Sequence, residues 1–246
     1  MANQGLDLED GMKTKLMFFY QRIIKATFFG LETSPFLPLV PAILILMLIL
    51  ASPPVIATQE LPSDPYQRGL VLYLQGKYAE AKASFEAALE AEPERIEAIY
   101  QRGLCALKIG EIEAGREDFN RILEINADSG WGLAGLALVL IQEKNYDEAM
   151  KRANEALEKE PALAEAHYVK GLVLSYQQKV DEAIKAFSRS VELLPTHAYS
   201  HYYLGLAYNQ KKRKDLTIVH LEKFLALAPQ APEAAQVRSL LSFLRR

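Results

Sequence analysis

Between residues 62 and 246 the apolar positions fall at spacings of three and four, the mark of helices buried along one face. In the stretch after Tyr78, Ala81, Phe85, Ala88 and Leu89 share one helical face. The stretch before it begins with Asp64, which suits a helix N-cap, and Pro65, which suits a first turn. Apolar residues then run to Leu74, and Gly76-Lys77 makes a turn. Glu92-Pro93 ends the second stretch, because proline disfavours helical backbone in the residue before it. The pattern predicts one helix–turn–helix unit.

That unit recurs with a period of 34 residues. Gly69, Gly103, Gly171 and Gly205 fall on one ladder, with Ala137 on the missing rung. Pro93, Pro161, Pro195 and Pro229 make a second, with Ala127 in the gap, and Phe85, Phe119 and Phe187 a third. Leu70, Leu104, Leu138, Leu172 and Leu206 are unbroken, and Tyr66, Tyr100, Tyr168 and Tyr202 lack only residue 134, an alanine. The small residues serve a mechanical purpose. Gly69 and its equivalents let the first helix approach the second, and Ala81, Ala149 and Ala183 do so from the other side. Phe85 and Phe187 fill the space between. The units are 62–95, 96–129, 130–163, 164–197 and 198–231, and residues 232–246 read as a capping helix.

This 34-residue helix–turn–helix pattern resembles the tetratricopeptide repeat (TPR) family. The first-helix motif stands as His201-Tyr-Tyr-Leu204-Gly205-Leu-Ala-Tyr208, with histidine for the usual tryptophan, and the alanine–phenylalanine motif as Ala81/Phe85 and Ala183/Phe187. The sequence departs from the pattern at Gly115, Ala153 and Thr217. The resemblance implies an all-α fold, a right-handed superhelical solenoid of helix–turn–helix repeats. It also implies a concave groove, lined by the first helices, that binds peptide segments or partner helices.

A different pattern precedes the repeats. From residue 33 to residue 59 there is no Asp, Glu, Lys or Arg. The run Phe36–Ala51 would be about 24 Å long as a helix, and 35–57 about 34 Å, against a hydrocarbon core about 30 Å thick. The segment 35–57 is expected to meet the membrane in one of two ways. It is either a transmembrane anchor or a signal sequence cleaved after Val55-Ile56-Ala57. The leader, residues 1–34, favours the anchor by its length, and the flanking prolines favour cleavage. No cysteine follows the run, which argues against a bacterial lipoprotein. Lys15, Arg22 and Lys25 before the run and Arg68 and Lys77 after it give a modest positive-inside bias. The expectation is a single-pass membrane protein with an extracytoplasmic repeat domain, or a secreted or periplasmic one after cleavage. Residues 13–29 mix basic and apolar side chains, as either an interfacial helix or a plain leader would. Residues 58–61 are a linker.

Composition narrows the chemistry. The net charge is −3, whereas proteins that live on phosphate contacts are strongly basic, so no nucleic-acid partner is expected. One cysteine, Cys105, can close no internal disulfide and supply no cysteine-rich zinc site. Gly130-Trp-Gly132-Leu-Ala-Gly135 spells the dinucleotide fingerprint, but that motif needs a strand before it, and a helical unit end precedes it here. Packing beside Trp131 accounts for these glycines. His197 and His201 are four apart, as metal ligands on a helix are, yet no acidic residue completes a set. Acidic pairs such as Glu111/Glu113 and Asp147/Glu148 read as solvated helix starts. No phosphate loop or nucleophile elbow is present. No catalytic residue, metal, cofactor or small-molecule substrate is expected, and the chain does not read as an enzyme.

Function is therefore expected on a surface. Tyr66, Leu70, Tyr73, Tyr100, Leu104, Leu107, Leu138, Ile141, Tyr168, Leu172, Tyr202, Leu206 and Asn209 share the first-helix face. If that face is the groove, it is apolar and tyrosine-rich. The alternative is that some of these leucines pack against the adjacent helix. The resemblance implies that asparagine and basic side chains would form a clamp for C-terminal carboxylates, and the leucine rungs argue against one. The expected role is a membrane-tethered or exported adaptor holding a protein or peptide partner, with envelope assembly as one setting. The alternatives are a structural self-association module and, behind it, an enzyme with an unrecognised site.

Overall fold

The computed structural model describes residues 61–246, so the leader and the apolar segment 35–57 lie outside the described residues. Among the described residues there are eleven α-helices and no strand. They are α1 (Pro65–Leu74), α2 (Tyr78–Ala91), α3 (Ile96–Lys108), α4 (Ile112–Ile125), α5 (Gly130–Gln142) and α6 (Tyr146–Lys159). Then follow α7 (Ala164–Tyr176), α8 (Val180–Leu193), α9 (Ala198–Gln210), α10 (Lys214–Leu227) and α11 (Ala234–Leu244). Among the described residues no helix is long and apolar enough to cross a membrane.

Local chemistry sets where the helices begin and turn. Asp64 caps α1 by accepting the Gln67 N–H at 2.8 Å, with Pro65 in the first turn. Asn145 caps α6 and His197 caps α9, the latter through Nδ1, which accepts the Ser200 N–H at 3.0 Å. Between the two helices of every unit one residue adopts a left-handed φ. These are Gly76 and Gly110 in the first two units and Lys144, Gln178 and Lys212 in the last three. Glycine takes that conformation freely, whereas a residue with a Cβ does so at a cost of roughly 1–2 kcal/mol. The turn thus persists in three units whose sequence carries no glycine signal for it.

The helices form two layers. Each odd-numbered helix packs on the even-numbered helix that follows, and each even-numbered helix from α2 to α8 packs on the next odd one. Odd-numbered helices also touch each other directly (α1 with α3, α3 with α5, α5 with α7, α7 with α9), whereas among the described residues no two even-numbered helices do. The odd helices therefore form the inner layer and the even helices the outer one, an all-α helical solenoid. α11 lies on α10.

One contact recurs inside the hairpins. A Cβ placed on Gly69 would stand 2.6 Å from the Phe85 ring, one on Gly103 2.7 Å from Phe119, and one on Gly171 2.5 Å from Phe187. These three phenylalanines are wholly buried. In the fifth hairpin Gly205 faces Leu221 instead. In the third, alanine occupies both matching positions, Ala137 and Ala153, and both are buried. There the close approach moves to the neighbouring unit, where a Cβ on Gly135 would stand 2.1 Å from Phe119. The three glycines of the fingerprint-like segment lie inside α5, preceded by helix α4, and each presses on a neighbouring side chain.

Most polar groups inside the fold are paired, with Ser129 Oγ and Gln177 Oε1 as exceptions. Asp118 is buried in α4, where its two carboxylate oxygens share the Arg102 Nε–H, at 3.0 and 3.2 Å, and accept a further hydrogen bond from Nη2. Ser190 and Ser200 hydroxyls meet at 2.7 Å, both fully buried. His201 sits between the Pro195 carbonyl at 3.2 Å and His220 at 3.1 Å. Cys105 packs beside Leu72 and Phe85, and burial pushes its thiol up to about 12, so it is an inert neutral group at pH 7.

Two outcomes test this packing. Gly171→Leu drives a side chain into the Phe187 ring, and the loss is expected to be about 1–3 kcal/mol or more. The better helix propensity of leucine returns only about 1 kcal/mol. Urea unfolding monitored by circular dichroism reads the change, and an unaltered midpoint would remove the glycine ladder as a packing device. The second concerns acid. Burial holds His197 and His220 down to about 4, against an ordinary value of 6.5. Between these values the unfolded chain binds more protons than the folded one, so stability is complete above about 6.5 and is lost as pH falls towards about 4. Thermal melts across that range should show the decline. His197→Asn, which keeps a capping acceptor, should make it shallower.

Candidate functional site

The inner layer curves until its ends meet. The Tyr73 ring of α1 lies edge-on to the Tyr199 ring of α9, with centroids 6.2 Å apart. The Tyr199 hydroxyl donates to Glu233 at 3.3 Å. Pro232, just before α11, lies against Gly76, with its Cγ 2.5 Å from where a Cβ would be. Lys108 sits over the Tyr199 ring at 5.6 Å. The first and last repeats are thus in contact, and the inner surface is not an open trough.

What remains inside is a cavity of ≈ 540 Å³, within the range of about 300–1,000 Å³ of ligand pockets. α1 and α3 form one wall, Trp131 of α5 sits beside it, and the junctions before α7 and α9 form the opposite wall. Ala162, Leu194 and Thr196 on those junctions are exposed and mark the rim.

The first-helix face is divided by this arrangement. Tyr66, Leu70, Tyr73, Tyr100, Leu104 and Tyr168 line the cavity together. Tyr100 is nonetheless only 1% exposed, packed against Phe119 and Trp131. Leu107, Ile141 and Leu172 are buried, and Leu138 packs against two core clusters. Tyr202 packs against Phe224, 5.0 Å between centroids. Leu206 borders a separate hollow with Tyr203 and Ser175, and Asn209 is exposed near the end of α9. A continuous solvent-facing strip along five units therefore does not form. Helix spacing puts these residues on one face, but the curvature of the layer decides which of them the neighbouring helix covers.

The cavity also contains residues outside that face. Gln101, Trp131, Glu165, His197 and Tyr199 all line it. Trp131, Glu165 and Tyr199 stand 34 residues apart, with Glu97 on the same ladder. The period that locates the tyrosine rungs therefore locates these too, but the ladder varies in residue type and does not stand out as a repeat. Glu97 lies near Tyr66, whose hydroxyl is raised first by burial and then by that carboxylate. The Arg95 guanidinium lies over the Tyr66 ring, 3.9 Å from its centroid, and draws the hydroxyl the other way.

Burial raises the Glu165 carboxyl above the usual carboxylate range, with its own backbone N–H opposing the shift. The Tyr100 hydroxyl is raised by burial first and by the Glu165 charge second, and Tyr73 and Tyr168 are raised by burial. His197, held low by burial, is neutral at pH 7. These surroundings offer ring faces, hydroxyls and one carboxylate. Among the described residues no group of three or more histidine, cysteine, aspartate and glutamate side chains stands where it would hold a metal ion.

Comparison with known proteins gives a consistent picture. The soybean (Glycine max) Hsp70-Hsp90 organizing protein 1 is 26% identical over 102 residues, 42% of this chain and 18% of that protein. The Xenopus laevis outer dynein arm-docking complex subunit 4 is 33% identical over 94 residues, 38% of this chain and 18% of that one. The chain therefore spans under a fifth of the length of these curated relatives. The crystal structure of a thermophilic TPR protein from Thermus thermophilus superposes with a TM-score of 0.56 at 23% identity. It covers 74% of this chain and 97% of that one, a likeness of fold. The sequence profile described as tetratricopeptide repeat matches residues 66–130, 134–196 and 168–232. These matches extend over more than half of the sequence, and the chain belongs to the tetratricopeptide repeat family.

Proposed function

We propose that this chain is an adaptor that works by binding rather than catalysis, holding a peptide segment of a protein partner against its inner layer. The observation that carries the reading is the ≈ 540 Å³ cavity walled by tyrosine, tryptophan and leucine side chains from successive first helices. Tyrosine and tryptophan supply contact area and a hydrogen bond at small entropic cost, which suits recognition. The two relatives are named for organizing Hsp70 and Hsp90 and for docking the outer dynein arm, roles compatible with an adaptor. The buried, inert state of Cys105 offers no nucleophile that would favour catalysis.

The same proposal includes the membrane. The uncharged stretch of residues 33–59 supports tethering, or export with cleavage near Ala57, with the repeats on the extracytoplasmic side and envelope assembly as one setting.

A random dodecapeptide display library panned on the full-length chain tests the binding role. Enriched peptides should lose about tenfold or more in affinity when Gln101→Trp fills the cavity, while the melting midpoint stays in place because Gln101 is only half-buried. Equal binding to both forms would move the site elsewhere. For topology, a reporter fused after Arg246 should be extracytoplasmic and should stay inside when residues 35–57 are deleted. A cytoplasmic reporter on the full-length chain would reverse the orientation.

A further inference from the structure

We propose that the cavity is a receptor for a cationic side chain, taking a lysine or arginine of the bound peptide between Glu165 and the surrounding aromatic rings. The proposal rests on the peptide-binding reading above and specifies its ligand.

Charge complementarity carries it. Of the side chains lining the cavity, Glu165 is the one that bears a formal charge, since His197 is neutral. Burial first, and Glu160 after it, raise its carboxyl, and among the described residues no ion pair includes it. A half-buried carboxylate without a cation either takes up a proton or is stabilised by a cation that a ligand supplies. The rings near it point the same way. Tyr66 and Tyr100 both register the Glu165 charge, and Tyr100 packs edge-on to Trp131 at 4.8 Å. Aromatic faces attract cations, tryptophan most strongly, and more so where water is excluded. The chain already uses one of these faces for a cation, because the Arg95 guanidinium lies over Tyr66 at 3.9 Å. The rim at Ala162, Leu194 and Thr196 is uncharged, while Arg95 over Tyr66 and Lys108 over Tyr199 take up two of the ring faces, which leaves Glu165, Tyr168 and Trp131 to receive the ligand. Glutamate or aspartate in the same place would face the Glu165 carboxylate and be rejected. The polarity is thus the reverse of a clamp that receives a carboxylate.

The test uses the full-length chain in detergent and random heptapeptide arrays whose central residue is fixed as lysine, arginine, norleucine or glutamate. Lysine and arginine arrays should bind about tenfold more tightly than norleucine, the most that one cation–aromatic and carboxylate pairing is asked to supply here, and glutamate arrays most weakly. Glu165→Gln should cut the preference over norleucine to about twofold, leaving only the aromatic attraction, and Glu165→Asp should keep most of it. The chain has one tryptophan, Trp131, so its fluorescence should change with the lysine peptides and report binding in the cavity itself. Equal binding of lysine and norleucine arrays by the unaltered chain would overturn the cation receptor and leave the peptide-binding reading standing. Absence of binding on every array would overturn both. A preference that survives Glu165→Gln, or binding that leaves Trp131 unchanged, would remove the ligand from this cavity.

Discussion

The contact between a helix without a side chain at one point and a ring on its partner sets the geometry of the hairpins. With Gly69 against Phe85, Gly103 against Phe119 and Gly171 against Phe187, the two helix axes come close enough to bury the ring completely. The two positions are 16 residues apart in each pair, so the contact spans the intrahairpin turn and fixes the register of both helices. Where the pair changes, the partner changes with it or in its place: leucine replaces phenylalanine opposite Gly205, and alanine replaces both members at 137 and 153. The alanine pair is much smaller than glycine plus phenylalanine, and the Phe119 ring of the preceding unit packs against Gly135 in that region, as interiors of crystal-like density require.

Stacked through this register, the odd-numbered helices form the inner layer, and its curvature determines which tyrosines are available. Tyr66, Tyr73, Tyr100 and Tyr168 all border the cavity, but Tyr100 is almost wholly covered because it is pressed into the seam between adjacent units, against Phe119 and Trp131. The same curvature carries Glu165 into partly dehydrated surroundings, which raise its carboxyl, and among the described residues no ion pair includes it. Affinity and selectivity would then come from separate features, the ring area and the single carboxylate.

Much of the fold was legible from spacing. The glycine, phenylalanine and proline ladders mark contacts and boundaries made within a unit or between adjacent units, where sequence distance and spatial distance are locked together. The turn rung was only partly legible, because Lys144, Gln178 and Lys212 adopt the left-handed conformation that Gly76 and Gly110 advertise. The site was harder to read. Leu107, Ile141 and Leu172 share a helical face with Leu70 and Leu104, and periodicity cannot tell a residue covered by the next unit from one left open. The meeting of Tyr73 with Tyr199 depends on small rotations accumulated over five units, and no local pattern encodes it. Glu165 and Trp131 lie on a rung whose residue types differ from unit to unit, so they do not register as a repeat at all.

The meeting of first and last repeats also bears on how the array comes apart. In a linear repeat protein each unit is held only by its neighbours, so the terminal units fray first and unravelling proceeds inward. Here the Tyr73 ring against Tyr199 and Pro232 against Gly76 give the first unit a second neighbour. Opening at that end must break contacts to α9 and to the segment before α11 as well as those to α3. The array then loses its weakest end, and its units are coupled around a circuit rather than along a line.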